Sequence, residues 1–197
     1  TQTLSPDLLA EHPGDIQAVF NLENELAATV PPGAKGLIFL PHLLGERSPR
    51  WNPKARGAFV GLTYAHTRAE MLRAVMEGVA LNLEIVLSSM RRASCNIRSL
   101  VIVGGGARSA LWRQILADVF RLPVKKPVVT GEATSAGAAV AGGVGAGVLP
   151  DFSAAKKFIK IESVTCPNEE TAKIYDQLKP VFERCYRALE PIFEGLT

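Results

Sequence analysis

Leu100-Val-Ile-Val-Gly104-Gly-Gly-Ala-Arg-Ser109-Ala-Leu-Trp112-Arg-Gln-Ile-Leu-Ala-Asp118 is the stretch that decides the fold. Its first four residues form a continuous apolar, β-branched run, which predicts a buried strand. Three glycines end that run and remove every Cβ at its tip, so that a ligand can approach the backbone closely. From about Ser109, Leu111, Trp112, Ile115, Leu116, Val119 and Phe120 recur at helical spacing. The start of that helix presents unpaired N–H groups and the positive end of a dipole to an anion such as phosphate. Ser109 is a candidate both for the helix cap and for a ligand contact.

Outward from this unit, the same alternation of strand and helix continues. Pro123 to Val129 reads as a second strand, and Thr130-Gly131 leads into a small-residue helix. On the other side, Thr67-Arg-Ala-Glu70 has the form of a capping box. Behind it, Met71, Leu72, Val75, Met76, Val79, Leu83, Val86, Leu87 and Met90 predict an apolar helical stripe, with Arg91-Arg92 suiting the helix C-terminal dipole. Gly36 to Leu40 and Ala58 to Leu62 read as strands, separated by a Pro- and Gly-rich ordered loop from Pro41 to Gly57. Pro6 to Val30 carries weaker helical periodicity. Asn168 is the expected cap of a final helix bearing Ile174, Tyr175, Leu178, Val181, Phe182, Cys185, Tyr186 and Leu189 on one face, with Pro180 a point of bending. No repeat or low-complexity linker interrupts the 197 residues, and the expectation is one α/β domain over 1–197.

Composition narrows the partners. A net charge of +3, with basic residues scattered in short pairs, builds no nucleic-acid stripe and favours a small molecule. Cys95, Cys166 and Cys185 are odd in number and lack a CxxC pattern, which points to a reducing, cytoplasmic setting. His12, His42 and His66 do not cluster with them, so no protein-built metal site is expected. Ala133 to Pro150 is free of charge, but its many glycines and few large apolar residues read as a buried small-residue helix rather than a membrane span.

The glycine turn alone leaves two nucleotide readings. Gly104-x-Gly106-x-x-Ser109 approaches a dinucleotide fingerprint, with serine where the third glycine belongs. Where that fingerprint wants an acidic residue, the chain has Lys125 and Lys126, which suit a 2′-phosphate at best. A P-loop is absent.

Other segments carry a resemblance. Gly57-Ala-Phe59-Val-Gly61-Leu62, followed after seven residues by Glu70-Met71-Leu-Arg-Ala74-Val75-Met76-Glu77, is similar to the second signature of the FGGY carbohydrate kinase family. Phe39-Leu40-Pro41-His42-Leu-Leu-Gly45-Glu46-Arg47-Ser48-Pro49 resembles the family's FLPYLxGERxP stretch, with His42 where Tyr is common. Asn52-Pro53-Lys54-Ala55-Arg56-Gly57 continues it in register. Gly104 to Asp118 looks like the adenosine-binding segment of the family's xylulokinase branch, because the glycerol kinase branch has Asp-Gly-Gly there. Glu132-Ala-Thr-Ser-Ala-Gly137-Ala138-Ala139 resembles the next helix. The resemblance runs from about Pro31 to Val148.

That resemblance implies a ribonuclease H-like, actin-like fold in two lobes, of which this chain is the C-terminal, nucleotide-binding one, a mixed sheet flanked by helices. It places Gly104, Gly105, Gly106 and Ala107 against ATP, with Ser109 beside them. It implies Mg²⁺ on the phosphates, a sugar acceptor (D-xylulose first), the chain's own N-terminal lobe as partner and a second copy of the chain as a further candidate partner. The catalytic base is expected in the N-terminal lobe, so none is assigned here and the chain alone is expected to be inactive. Glu46, Arg47 and Arg56 divide evenly between shaping the inter-lobe cleft and a local ion-pair network. Trp51 and Trp112 are expected to pack, Glu132 to favour its helix dipole, and Asp118 to lie at the surface or near a cap. The rivals are a Rossmann-type, NADP-binding oxidoreductase domain and a non-catalytic actin-like interaction module.

Overall fold

The computed structural model describes residues 3–131, 133–155 and 159–196. The stretch before Pro31 divides into α1 (Pro6–Glu11) and α2 (Ile16–Ala28), joined by the turn His12-Pro13-Gly14-Asp15, in which the Asp15 N–H donates to the His12 carbonyl and Gly14 takes a φ of +80°. The Asp15 carboxylate accepts from the Ala18 N–H and caps α2. β1 (Ile38–Leu40) and β2 (Ala58–Val60) pair antiparallel, Phe39 opposite Phe59. The ordered loop between them is expected from its composition.

α3 (Arg68–Arg92) starts at the capping box read from the sequence. The Glu70 carboxylate accepts from the Thr67 N–H at 2.8 Å, and Thr67 Oγ1 accepts from the Ala69 N–H. α3 lies directly on β1, where a Cβ on Gly78 would stand 2.0 Å from the Phe39 carbonyl oxygen. The apolar stripe is a partial match only. Leu83 and Met90 are exposed, while Arg73, Glu77 and Glu84 are buried. Those charges stay buried because they are partnered. Arg73 Nε donates to Glu77 Oε1 at 2.6 Å, and Glu77 Oε1 also accepts from the Tyr175 hydroxyl and the Gly33 N–H.

The second sheet has the order β3-β4-β5. β3 (Leu100–Val101) and β4 (Val124–Pro127) run parallel across α4 (Ala110–Phe120), and β5 (Ile161–Thr165) closes antiparallel on β4. This is a mixed sheet. Leu100, Val124 and Thr165 share one row, and Val124 is buried with Ile115, Leu116, Val119 and Phe120 of α4. The next row, Val101–Lys125–Val164, faces the other way. Val101 and Val103 are about half exposed, which corrects the expectation of a fully buried strand: β-branching reports strand, not which face is covered.

α5 (Ala133–Gly145) also departs from its expected burial. Val140 is buried, but most of the helix is exposed. Its main described neighbour is the short 3₁₀ turn Phe152–Ala154. Uncharged composition fixes a preference for burial, not a partner to supply it. α6 (Glu169–Phe193) begins at Asn168, whose side chain accepts from the Glu170 and Thr171 N–H groups, as expected of a cap. It continues through Pro180 and Pro191 and buries Tyr175, Phe182 and Tyr186. Among the described residues no helix is long and apolar enough to cross a membrane.

Candidate functional site: the glycine turn and its cleft

β3 delivers the chain into Gly104, which sits at φ +80°, ψ −170°, a conformation essentially closed to residues with a Cβ. Its N–H donates to the Thr130 carbonyl at 2.7 Å, fastening the turn to the segment that follows β4. Gly105 to Arg108 then form one 3₁₀ turn before α4. Gly105 and Gly106 are exposed, and a Cβ on Gly105 would meet open space. A Cβ on Gly106 would press on the Trp112 ring, 3.1 Å from Cδ1.

Ser109 is the N-cap of α4. Its Oγ accepts from the Trp112 N–H at 3.0 Å and donates to Asn24 Oδ1 at 2.6 Å. Gly105, Gly106 and Ser109 line one wall of a cleft of about 630 Å³. The opposite wall is α2, through Gln17, Phe20, Asn21 and Asn24. Gly104 and Ala107 do not line the cleft. Ala107 is fully buried, backbone included, with its carbonyl accepting from Arg113 Nη1. The structure thus brings Gly105, Gly106 and Ser109 to the cleft and leaves Ala107 beneath them. Trp112 packs against the core as expected, yet it also reaches the cleft wall.

The α2 wall was not legible in the sequence. Nothing within Gln17–Asn24 marks a site, and it reaches the glycine turn from 85 residues away.

The Pro41–Gly57 loop holds a different arrangement. Glu46 is buried, its Oε1 accepting from Arg50 Nη1 at 2.7 Å, while Arg50 Nη2 pairs with Glu183 of α6. The Arg50 guanidinium lies over the Tyr186 ring at 4.0 Å, and the Tyr186 hydroxyl accepts from Asn52. Burial pushes the Glu46 carboxyl up, against the pull of Arg50. Burial also drives His42 down to about 4, so it stays neutral beside Tyr186. Arg56 donates to the Pro53 and Ala55 carbonyls, and Arg47 is exposed. Glu46 and Arg56 thus serve local networks, with Arg50 the member that sequence reasoning missed. Trp51 does not pack: it is 73% exposed at φ +54°. A smaller groove of about 420 Å³ lies alongside, between Arg50, Glu183, Tyr186 and Arg187.

Asp118 is buried rather than at the surface, because Oδ1 accepts from the Asn168 N–H and from Gln114 Nε2, both at 2.7 Å. Its expected link to a cap is there, and burial raises its carboxyl. Lys126 pairs with Glu162 at 2.8 Å. Glu132 lies outside the described residues. Among the described residues, no three His, Cys, Asp or Glu side chains gather as a metal site.

Residues 7–146 match the C-terminal domain of the FGGY family of carbohydrate kinases. The chain is 39% identical over 172 residues to a xylulose kinase of Staphylococcus epidermidis, covering 87% of this chain and 34% of that protein. It is 38% identical over 172 residues to a gluconokinase of Bacillus licheniformis, covering 87% and 33%. Among solved structures, a ligand-bound xylulose kinase from Lactobacillus acidophilus superposes with a TM-score of 0.80 at 33% identity, over 89% of this chain and 36% of that one. The chain therefore spans about a third of the length of the relatives it matches.

Proposed function

Because the chain belongs to the FGGY family of carbohydrate kinases, we propose that it is the C-terminal, nucleotide-binding lobe of an ATP-dependent sugar kinase with a ribonuclease H-like, actin-like fold. The observation that carries this reading is the open glycine turn at the start of α4. A phosphate-bearing ligand needs backbone N–H groups it can reach without meeting side chains. Gly105 offers that approach, since even a Cβ there would meet nothing within 4 Å. Gly104 sets the turn, Gly106 lets Trp112 close against it, Ala107 anchors it from below, and Ser109 holds the helix start in place.

Phosphoryl transfer depends on positioning and charge stabilisation. In this reading the lobe binds and orients the nucleotide, and the general base and most sugar contacts come from the N-terminal lobe. The exposed, uncharged α5 supports a face that such a lobe covers. Mg²⁺ commonly rides on the nucleotide phosphates with few protein ligands. The described residues do not form a cage for it, and the lobe's part in binding and orientation runs without one. The three cysteines are unpaired, which supports a cytoplasmic setting. An NADP-binding reading has less support, because Lys126 is engaged by Glu162.

D-Xylulose is the first candidate for the acceptor, phosphorylated to xylulose 5-phosphate. Gluconate is the second, since the gluconokinase is nearly as similar as the xylulose kinase. A coupled ADP-release assay tests the proposal, run with D-xylulose, D-gluconate and glycerol. The chain alone should release no sugar-dependent ADP, and co-expression with an N-terminal lobe should restore release with one acceptor. Sugar-dependent release from the chain alone would overturn the assignment of the base to the other lobe.

A further inference from the structure

The wall of the cleft opposite the glycine turn is built from amides. Gln17, Asn21 and Asn24 stand four and three residues apart, so they share one face of α2, and all three line the cleft. They are tied to each other and to the turn. Arg108 Nη1 donates to Gln17 Oε1 at 3.3 Å, Gln17 Nε2 donates to Asn21 Oδ1 at 3.1 Å, and Ser109 Oγ donates to Asn24 Oδ1 at 2.6 Å. Asn24 Nδ2 in turn donates to the Phe20 carbonyl at 2.6 Å. Asn24 is held at both ends and serves to position Ser109. Gln17 and Asn21 are exposed and keep hydrogen-bonding capacity. The Asn21 carbonyl takes one bond from Gln17, which leaves its second lone pair and its amide N–H₂.

Apolar plates flank these amides. Phe20, on the same helix, is 43% exposed, and Trp112 lines the cleft on the side of the turn. A slot with aromatic walls and an amide edge suits a planar heterocycle, held by stacking and read along one edge.

We propose that Gln17 and Asn21 read the base of the nucleotide and select adenine. The proposal rests on the reading of the glycine turn as a nucleotide site. The chemistry favours adenine because an amide offers a donor beside an acceptor, which pairs with the 6-amino group and adjacent ring nitrogen of adenine. Guanine presents two acceptors at the same edge and calls for a two-donor group such as a guanidinium. Arg108, the guanidinium of this cleft, is turned to Gln17 Oε1 through Nη1 and leaves the amides as the reading edge.

The experiment titrates ATP, GTP and inorganic tripolyphosphate into the chain and into Asn21→Leu, Gln17→Ala and Gly105→Val. The unsubstituted chain should prefer ATP to GTP by about tenfold or more. Asn21→Leu and Gln17→Ala should each lower ATP affinity by about tenfold and narrow that preference, with tripolyphosphate binding unchanged. Both residues are exposed on a helix whose caps lie elsewhere, so circular dichroism should show intact folds. If both variants keep ATP affinity and preference while Gly105→Val loses binding, the amide assignment is overturned and the nucleotide site stands. If Gly105→Val binds ATP undiminished, or the unsubstituted chain binds none, the nucleotide reading fails and this proposal with it.

Discussion

Ser109 carries two bonds that a sequence cannot apportion. As the N-cap it accepts from the Trp112 N–H, and as a cross-link it donates to Asn24. Removing the hydroxyl frees one helix N–H and one amide carbonyl, and both then face partly solvated space. Ser109→Ala should therefore lower stability by about 0.5–2 kcal/mol while leaving tripolyphosphate affinity nearly unchanged. Urea unfolding and calorimetric titration on the same samples separate the two effects. Affinity lost without stability would make Ser109 a ligand contact first. The three glycines beside it were legible as a group, because strand, glycines and amphipathic helix follow one another directly. Their separate duties were not. Identical residues encode neither the φ of +80° at Gly104 nor the Trp112 ring beneath Gly106.

α3 shows where sequence reading succeeds and where it stops. Its start is local chemistry, with Thr67 and Glu70 three residues apart, and it was legible. Its packing against β1 is not local: Gly78 meets the Phe39 carbonyl across 39 residues, and nothing near Gly78 in the sequence marks that approach. Gly78→Ala would force α3 off β1, and overpacking of this kind costs about 1–3 kcal/mol, read as a lower urea midpoint. The Arg73–Glu77–Tyr175 cluster escaped for the same reason, since Tyr175 comes 98 residues after Glu77.

The start of α3 also gives the chain a pH signature. Lys35 Nζ, 2.6 Å from Glu70, and then the Thr67 hydroxyl and N–H, hold the Glu70 carboxyl down at about 2, against an ordinary 4.5. A carboxylate lowered on folding stabilises fully above its unfolded pKa and loses that contribution as pH falls through the folded one. The Glu70 contribution should thus be complete near pH 7 and fade between about 4.5 and about 2. Thermal melts of the unsubstituted chain and Glu70→Gln should differ at neutral pH and converge in that window. A constant difference down to pH 2 would show that Glu70 acts through shape rather than charge.

For the molecule as a whole, the chain spans about a third of the length of the relatives it matches. The sheet row Val101–Lys125–Val164 and most of α5 look outward. The sequence reading expected Leu100–Val103 and the small-residue helix to be buried, because apolar or uncharged side chains signal a preference for cover without saying which element supplies it. The family motifs, by contrast, were legible throughout, since each is a contiguous run whose register survives without tertiary context. The most direct test of the central claim is an amide chemical-shift map of the isotope-labelled chain titrated with a non-hydrolysable ATP analogue. The account predicts saturable shifts concentrated at Gly105, Gly106, Ser109 and the facing side of α2. Shifts confined to the groove beside Arg50 and Glu183, or no saturable shifts at all, would contradict it.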